Sequence, residues 1–598
     1  MPRPRSLLWA FAAVAGVYLY FFPYYAGINN PNENVRLYLV RALVDHQSFA
    51  IDPVLREWGY VNDRSVFAGK NYSAKAPGTS LTGVPVYYVQ KHLFKALGWQ
   101  LTRPRITYAA RLFAVVLPVL AFLFAFGKFL EGRGASPFTR DLAVIGLALG
   151  TPMAAYSVCF VAHAQVAICA FGSFMLIRRA ADLDWEGLAG APTVGWRLAL
   201  AGFLAGWATI TEYQIALVAA VLTVYAAAVL RHRRRLAWLL LGALPTVALL
   251  LVTNALCFGG PLEFSYAHLE NASFAHNTQQ GLLGFASINP GILAEALGGR
   301  SNGLFYYSPL CLLGLVGAVV ALGRRRLRAD GALVLAAFAL PTLYLAGLVA
   351  WRAGWSVGPR YITVVLPFLV YGVVLLFLPR TDSRATRVLT TTAAALCLTS
   401  VVISGVAVIY PHYPQAFRNP PFSLAWPLVR EGYLPYSFGW LVGLRGLRAG
   451  LPLVPFILAA VALVLAGDGR PPLRARVAHA LGAVAVAAGL IWLATLAPNE
   501  LPGIYGVHHM VRSKWEPTEG LPKLAPLPTP PARPAPPRPA PRPAPPRWPV
   551  ALRLEARPLA PSRAPSLAPR AARLALDPRL DAILPPLPLL GKPAPRAR

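Results

Sequence analysis

The sequence predicts an all-α membrane protein, a polytopic bundle of about 11–13 spanning helices, and three observations support this prediction. Of its 598 residues, 56% are hydrophobic and only 13% are charged, whereas ordinary soluble domains carry about 25% charged residues. The apolar residues are collected in about a dozen stretches near the roughly 20-residue length of a spanning helix. Polar and apolar residues do not alternate along these stretches, which argues against a membrane β-barrel.

An uncleaved signal anchor is predicted first, over residues 7–25, because two arginines precede this apolar run and no small-residue cleavage site closes it. The further predicted spans are 106–127, 141–161, 164–177, 198–211, 214–230, 236–257, 303–322, 331–350, 361–378, 388–409, 450–466 and 478–496. Two of them, 198–211 and 214–230, are short and could together form one bent span.

Basic residues divide the connections between the spans into two sets. Arginine is frequent in alternate connections, for example in the runs at 231–235 and 324–328, and scarce near Ala162 and Glu212. Cytoplasmic loops are generally rich in lysine and arginine, so the alternation predicts a cytoplasmic N-terminus in a plasma or bacterial inner membrane. The loops predicted to face outward are 27–105, 259–302, 351–360 and 411–449. The C-terminal tail is predicted to face outward as well.

The basic character of the chain does not indicate a nucleic-acid-binding protein. The net charge of +32 arises largely from arginine clusters between helices and from a Pro/Arg-rich tail, without a basic domain interleaved with aromatic residues. The chain is therefore divided into a membrane domain at 1–500 and a low-complexity segment at 501–598. Pro-Ala-Arg repeats predict a disordered tail with extended polyproline II structure rather than a packed domain.

Cysteine and motif patterns predict neither a disulfide framework nor a bound cofactor. The five cysteines lie in apolar segments without a Cys-x-x-Cys spacing, and no P-loop, dinucleotide fingerprint or Gly-x-Ser-x-Gly motif occurs. Glu263, His268 and His276 of one outward loop could suggest a divalent cation. Because they include no helical i, i+4 histidine pair, we predict no metal site. We favour contact between these residues and an acceptor substrate.

The first outward loop, 27–105, holds the clearest chemical pattern. Transfer from a lipid-phosphate-linked donor needs a carboxylate to deprotonate the nucleophile and a cation for the phosphate. Glu33 and Asp63 are the predicted bases, and Lys75 is the predicted cation beside a Pro-Gly turn. Within the same loop, the segments 79–97 and 35–50 are amphipathic and predict helices that lie in the membrane interface.

Residues at other outward-facing positions are predicted to bind substrate. Arg352 and Arg360 flank a glycine-containing turn, and planar guanidinium groups grip phosphate in bidentate fashion. His163 and Glu212 stand at tight outward turns, where a His or an acid is also tolerated as a simple interfacial group. The remaining predicted substrate-binding residues are Asn32, Arg36, Tyr72 and Tyr361. Alternatively, Arg36 forms only a local ion pair with Glu33, one helical turn away.

Several of these stretches form recognisable motifs. Asn32-Glu33 followed by Arg36 resembles an Asp-Glu-x-x-Arg element, and 72–78 (Tyr-Ser-Ala-Lys-Ala-Pro-Gly) resembles a Lys-Pro-Pro element that precedes an interfacial helix. Both elements belong to the GT-C fold glycosyltransferases, closest to the protein O-mannosyltransferase and lipid A aminoarabinose transferase group. Residues 110–112 (Ala-Arg-Leu) are similar to a further element of that group. The resemblance covers roughly residues 7–500 and excludes the tail; 204–213 and 355–361 also resemble uncharacterised bacterial members.

The resemblance implies an inverting transfer of a sugar from a polyprenyl-phosphate donor to a glycan, lipid or protein acceptor at the outer face of the membrane. In that family the first acid of the Asp-Glu pair is the expected base. Asn32 holds that position here, and an amide cannot take up a proton at neutral pH. Glu33 is then the favoured base and Asp63 the alternative. Lys75 would hold the donor phosphate, assisted by Arg352 or Arg360.

Two other functions compete with this one. A flippase for lipid-linked saccharides would place ionisable groups or broken helices near the bilayer midplane, but the predicted spans are nearly free of central charges. A catalytically inactive relative remains an alternative because of Asn32. The clustering of acids and cations at outward helix ends favours the glycosyltransferase.

Overall fold

A computed structural model of the chain describes residues 6–28, 30–187, 191–281, 284–378, 383–467, 472–496, 504–522 and 524. The described residues belong to a compact unit that ends at Leu524. The repeats of the predicted tail, from 525 onward, lie outside the described residues. The compact unit extends past the predicted boundary at 501, because Trp515 is buried against the rings of Tyr25 and Tyr433.

Helices dominate the described residues, as predicted. The first part of the chain contains α1 (Ser6–Tyr20), α2 (Pro31–His46), α3 (Asp52–Trp58), α4 (Gly78–Ala96), α5 (Arg103–Arg111), α6 (Leu117–Gly132), α7 (Pro137–Leu149), α8 (Met153–Tyr156), α9 (Ala162–Glu186) and α10 (Ala191–Thr211). The remainder contains α11 (Ala216–Val229), α12 (Leu236–Phe258), α13 (Ala272–Gln279), α14 (Pro290–Gly298), α15 (Leu304–Tyr307), α16 (Leu310–Leu322), α17 (Arg328–Ala346), α18 (Leu366–Leu376), α19 (Arg384–Gly405), α20 (Trp426–Arg430), α21 (Phe438–Leu441), α22 (Val454–Leu465), α23 (Leu473–Thr495) and α24 (Ile504–Ser513).

Six of these helical segments are long and apolar enough to cross a membrane. They are Arg103–Gly132, Arg233–Phe258, Arg328–Ala346, Arg384–Val408, Gly446–Leu465 and Leu473–Thr495. Shorter apolar helices are Ser6–Tyr20, Tyr213–Val229, Leu310–Leu322 and Arg360–Leu376. The chain is therefore a multi-pass helical membrane protein, and the total of about 11–13 spans stays a prediction.

The first loop adds a small β-hairpin to the helical fold. Strands β1 (Arg64–Phe67) and β2 (Lys70–Ser73) pair antiparallel, with Arg64 opposite Ser73. This register places Asp63 directly before β1 and Lys75 two residues after β2, so the two side chains are brought to the same end of the hairpin. The sequence analysis predicted helices alone and did not foresee these strands.

Helix α2 begins where its sequence supplies a cap. The Asn30 side chain accepts a hydrogen bond from the Asn32 N–H, and Pro31 occupies the first turn, where its missing N–H costs nothing. Helix α4 follows Pro77 and contains Pro85. Both helices fall on segments predicted to be amphipathic, and α2 packs against α4, so the cap of α2 and the start of α4 are held together.

Helices α10 and α12 cross at small residues. A Cβ atom added to Gly202 would lie 1.8 Å from the Leu239 carbonyl oxygen, and one added to Gly242 would lie 1.8 Å from that of Ala199. Only glycine permits so close an approach of two backbones, as in membrane helix pairs with small residues at the crossing. The crossing fixes α10, whose last residue, Thr211, precedes Glu212.

Ion pairs gather at the end of the bundle opposite the hairpin. The buried Asp330 carboxylate accepts hydrogen bonds from the Tyr225 and Tyr371 hydroxyls, each at 2.6 Å, and pairs with Arg133 at 3.2 Å. Asp184, at the end of α9, pairs with Arg235 at 2.9 Å. Arg133 and Arg235 belong to the arginine-rich connections, whereas α9 begins at the hairpin end, where the predicted site residues lie.

Candidate functional site

Seven side chains form what we call the polar cluster: Arg36, Asp63, Lys75, His163, Glu212, Tyr266 and Arg360. They come from α2, the β-hairpin, the residues before α4, the start of α9, the end of α10, the loop after α12 and the turn before α18. Six of the seven were predicted from the sequence as site residues. Tyr266 was placed in an outward loop but given no specific role.

The Arg36–Glu212 ion pair forms the buried side of the cluster. Arg36 Nη2 lies 3.2 Å from Glu212 Oε1, and the two side chains are only 1% and 6% exposed. Arg36 also donates through Nε to Asn32 Oδ1 and through Nη1 to the Ala76 carbonyl. Burial lowers the pKa of the Arg36 guanidinium, and the Glu212 carboxylate opposes that shift. The pair therefore ties α2, α10 and the start of α4 together.

Asp63 and Lys75 form a second ion pair on the more open side of the cluster. Lys75 Nζ lies 3.2 Å from Asp63 Oδ2, and the side chains are 16% and 10% exposed. The Ala74 N–H donates to the Asp63 carbonyl, so the backbone of the hairpin sets the distance between them. Since this pair is more exposed than Arg36–Glu212, an incoming molecule would meet it first.

Arg360 carries a positive charge that no described carboxylate pairs with at close range. Its Nε is buried without a hydrogen-bond partner, and its guanidinium lies 5.5 Å from the centroid of the Tyr361 ring. Asp63 and Glu212 are both within electrostatic range of it. A buried cation without a bound partner is costly, so this position is suited to an anionic ligand.

Two further side chains complete the cluster. The His163 ring packs edge-on against Tyr156 at 4.8 Å between centroids and lies within electrostatic range of Arg360, Arg36 and Lys75. Tyr266 is held in place by Ser265, whose hydroxyl donates to the Ala74 carbonyl. Burial raises the pKa of Tyr266 well above 10, so its hydroxyl stays protonated. Three cations therefore surround two carboxylates, leaving a surplus of positive charge.

Glu33, the favoured base, is engaged elsewhere. Its Oε1 accepts hydrogen bonds from Arg111 Nε and from the Phe160 N–H, both at 2.7 Å, and Oε2 lies 2.5 Å from Arg111 Nη2. Burial alone would raise the pKa of Glu33, but the Arg111 charge and these hydrogen bonds outweigh it and hold that pKa below 4.5. Among the described ion pairs, Arg36 pairs with Glu212 and not with Glu33. A carboxylate so fully paired is a poor proton acceptor.

Three other residues that were predicted to bind substrate do not belong to the cluster. Asn32 accepts from Arg36 and thereby orients that guanidinium. Tyr72 packs its ring against Phe258 at 5.4 Å and anchors the hairpin to α12. Arg352 pairs with Glu295 of α14 at 3.5 Å, with both side chains more than a third exposed. Of the two arginines predicted to flank the turn at 351–361, only Arg360 joins the cluster.

The start of α4 fits against the end of α10 because residue 78 is glycine. A Cβ atom at Gly78 would lie 2.2 Å from Thr211 Oγ1 and 2.8 Å from Thr211 Cα. This contact sets Lys75 and Ala76 on one side next to Glu212 on the other. The Pro-Gly turn noted in the sequence therefore has a packing role.

The loop between α12 and α16 does not assemble a metal site in the described part of the chain. His268 Nε2 is 3.6 Å from Glu263 Oε2, while His276 Nε2 is hydrogen-bonded to Gln280. Among the described residues, no three His, Cys, Asp or Glu side chains are grouped as metal ligands. Glu270 of this loop pairs with Arg64 of β1 at 3.1 Å, which joins the loop to the hairpin.

Sequence reasoning missed two residues that support the site. Arg111 lies in residues 110–112, which are similar to an element of the glycosyltransferase group named above. That similarity was the available signal that Arg111 belongs to the site. His412 carried no signal; its Nδ1 lies 3.2 Å from Asn30 Nδ2, at the cap of α2. Burial, with Arg111 and Arg360 adding to it and Glu33 opposing, lowers the pKa of His412 to about 4.

No protein-family model matches the chain, and no curated protein is significantly similar to it. The chemistry of the polar cluster must therefore be inferred from its own residues. It offers one carboxylate that is less deeply buried than Glu212, two cations beside it and a buried ion pair that fixes their positions. Such a set can take a proton from a hydroxyl or amine while it holds an anionic group.

Proposed function

We propose that this chain is an integral membrane glycosyltransferase that uses a polyprenyl-phosphate-linked sugar donor. The observation that carries the proposal is the Asp63–Lys75 pair at 3.2 Å, next to Arg360 with its unpartnered Nε. A base and two phosphate-binding cations are the groups that displacement at an anomeric carbon with a phosphate leaving group requires. The motifs at 32–36 and 72–78 support the same reaction class.

Asp63 is the base in this proposal, and Glu33 is a positioning residue. Asp63 has one close cationic partner and keeps part of its side chain exposed. Glu33 has three hydrogen-bond donors on its two oxygens and a lowered pKa. The sequence left both acids as candidate bases, and the difference in their surroundings favours Asp63.

The proposed reaction is a single displacement. The acceptor hydroxyl or amine gives its proton to the Asp63 carboxylate, and its oxygen or nitrogen forms a bond to the anomeric carbon. The bond from that carbon to the phosphate oxygen breaks, and its electron pair leaves with the polyprenyl phosphate. Because the nucleophile attacks opposite the leaving group, the configuration at the anomeric carbon is inverted.

Lys75 and Arg360 stabilise the negative charge that grows on the departing phosphate. The Lys75 ammonium has three N–H donors, so it can keep Asp63 in place and still bind a phosphate oxygen. The Arg360 guanidinium offers a planar pair of donors to the other oxygens. Arg36 and Glu212 neutralise each other and hold the surrounding backbone, so they contribute through position.

Transfer from radiolabelled polyprenyl-phosphate sugars in reconstituted vesicles tests this proposal. We expect wild-type transfer from at least one donor, and a loss of about 100-fold or more in Asp63→Asn, the scale of a general base. Glu57→Gln is the matched control because Glu57 is an exposed acid of the same loop, paired with Arg41. Label that crosses the bilayer without transfer would contradict the proposal and favour a flippase; full activity of Asp63→Asn would remove its role as base.

A further inference from the structure

A large groove lies between the C-terminal half of α4 and the start of the long helix Arg103–Gly132. Its volume is about 950 Å³, at the upper end of the roughly 300–1,000 Å³ of ordinary ligand pockets. Most of its lining is apolar and includes Val86, Val89, Leu93 and Phe113. Val89, Leu93 and Phe113 are more than half exposed, so the groove is open along its length.

The groove has a polar end and an apolar end. Helix α4 and the helix after it form a hairpin whose connection is 97–102, and Gln100, Trp99 and Arg105 line the groove there. Pro85 and Phe113 line the opposite end. Tryptophan and arginine are residues of the membrane–water interface, whereas phenylalanine and proline tolerate hydrocarbon. This order matches a lipid, with its headgroup at the connection and its chain toward Phe113.

A cation without a carboxylate partner stands at the polar end. Arg105 lines the groove and is exposed, and it pairs with no carboxylate among the described residues. Lys91 of α4 is by contrast bound to Asp45 at 2.7 Å. The Arg105 Nη1 donates to the Gln100 carbonyl, which leaves its other donors available. An anionic headgroup would neutralise the charge at this end.

A hydrogen-bonded partition separates the groove from the polar cluster. Gln165 Nε2 donates to Thr82 Oγ1 at 3.0 Å and to the Ala114 carbonyl at 2.8 Å, and so joins α4, α9 and the long helix between the groove and His163. None of the seven residues of the polar cluster is among those that line the groove.

We propose that this groove binds an anionic phospholipid of the surrounding bilayer, with one acyl chain along Val89 and Leu93 and the phosphate at Arg105. The site is distinct from the donor site and does not depend on glycosyl transfer. Because α4 begins at Gly78, three residues after Lys75, the bound lipid would support the helix that follows this cation of the cluster.

The test uses the full chain in phosphatidylcholine vesicles that contain a trace of phosphatidylglycerol with a photoreactive acyl chain. After irradiation, mass spectrometry locates the labelled peptides. We expect label within residues 85–113, displaced by unlabelled phosphatidylglycerol at concentrations where extra phosphatidylcholine has no effect. Loss of one interfacial cation is worth roughly 1 kcal/mol, so Arg105→Gln should weaken that displacement about fivefold.

A matched pair of variants distinguishes lipid bound in the groove from label that reaches any helix exposed to lipid. Val89→Trp fills the groove and should abolish label at 85–113. Leu458→Trp changes an equally exposed apolar side chain of α22 and should leave the label unchanged. Equal displacement by both phospholipids would overturn the charge assignment. Preferential displacement by polyprenyl phosphate would show that the groove belongs to the donor, and labelling spread over all exposed helices would show that there is no site.

Discussion

At the residue scale, two buried ion pairs hold the candidate site together, and each joins positions far apart in the chain. Six residues of the polar cluster were predicted individually, because acids and cations at helix ends are rare in an apolar chain. Which acid faces which cation depends on contacts between positions far apart in sequence, such as Arg36 with Glu212 and Arg111 with Glu33. Short-range spacing suggested Glu33 with Arg36 instead. Helical proximity is a weak guide when a buried long-range partner is available, since burial strengthens an ion pair.

Glu33→Gln should act on stability before it acts on chemistry. The amide leaves the Arg111 guanidinium buried without its countercharge, which costs about 3–5 kcal/mol in comparable pairs. We expect a lower melting temperature and less monodisperse protein in size-exclusion chromatography, with Glu57→Gln unchanged.

Removal of both charges provides the sharper control for Glu33. The double variant Glu33→Gln, Arg111→Met removes the uncompensated charge and should recover much of the lost melting temperature. A single variant that keeps the wild-type melting temperature but loses all transfer would instead assign Glu33 a direct part in the reaction.

His412 should make the protein less stable as the pH falls from 6.5 toward 4. Its pKa in the folded protein is about 4, against an ordinary value of 6.5. In this window the unfolded chain therefore binds more protons, and acid favours unfolding. The full shift corresponds to about 3 kcal/mol. His412→Gln should flatten the melting-temperature profile between these pH values, whereas the exposed His92→Gln should not; parallel profiles for wild type and His412→Gln would contradict this assignment.

At the element scale, amphipathic patterns predicted two helices of the first loop, α2 and α4, but not the short α3. The segments 79–97 and 35–50 correspond to α4 at Gly78–Ala96 and α2 at Pro31–His46. The β-hairpin at 64–73 was not predicted, because its eight strand residues show no long alternation of polar and apolar side chains. Its stability comes from tertiary partners such as Phe258 and Glu270, which local sequence does not display.

Gly78→Ala should disturb the junction between α4 and α10. The added methyl group would lie 2.2 Å from Thr211 Oγ1 and 2.8 Å from the Thr211 backbone, and overpacking of this kind costs about 1–3 kcal/mol. We expect a lower melting temperature and reduced transfer, because Lys75 and Glu212 lie on the two sides of the contact. Thr211→Ala should restore only part of the loss, since the backbone contact remains.

Gly489→Ala is the matched control for Gly78→Ala. Gly489 lies inside α23, and a Cβ atom there meets no atom within 4 Å. Alanine is the better helix former by about 1 kcal/mol, so this variant should be at least as stable as the wild type. If both glycine variants behaved alike, close contact with Thr211 would not be the reason for Gly78.

At the scale of the whole molecule, composition predicted a multi-pass helical protein, and the structure agrees. The number of spans is harder to predict, because turns and prolines interrupt apolar runs. One example is the 3₁₀ turn Tyr213–Ile215, which separates α10 from α11 and places Glu212 at the polar cluster. Hydropathy averaged over a window cannot distinguish such a turn from a bend within one span. The separation of the arginine-rich connections from the polar cluster, by contrast, follows the alternation that the sequence predicted.

The two ends of the bundle should lie on opposite sides of the membrane, with the polar cluster outside. Helix α9 runs from His163 in the cluster to Asp184, which pairs with Arg235 in an arginine-rich connection, and such connections remain in the cytoplasm. Single cysteines at two exposed positions report the two ends: Tyr60→Cys, near the hairpin, and Arg325→Cys, between α16 and α17. A membrane-impermeant maleimide should label Tyr60→Cys in intact cells and Arg325→Cys only after permeabilisation. Of the native cysteines, four are buried and Cys169 is partly buried, so unmodified protein provides the background. The reverse pattern would place the polar cluster in the cytoplasm, where it could not use a donor presented on the outer face, and would contradict the proposed orientation.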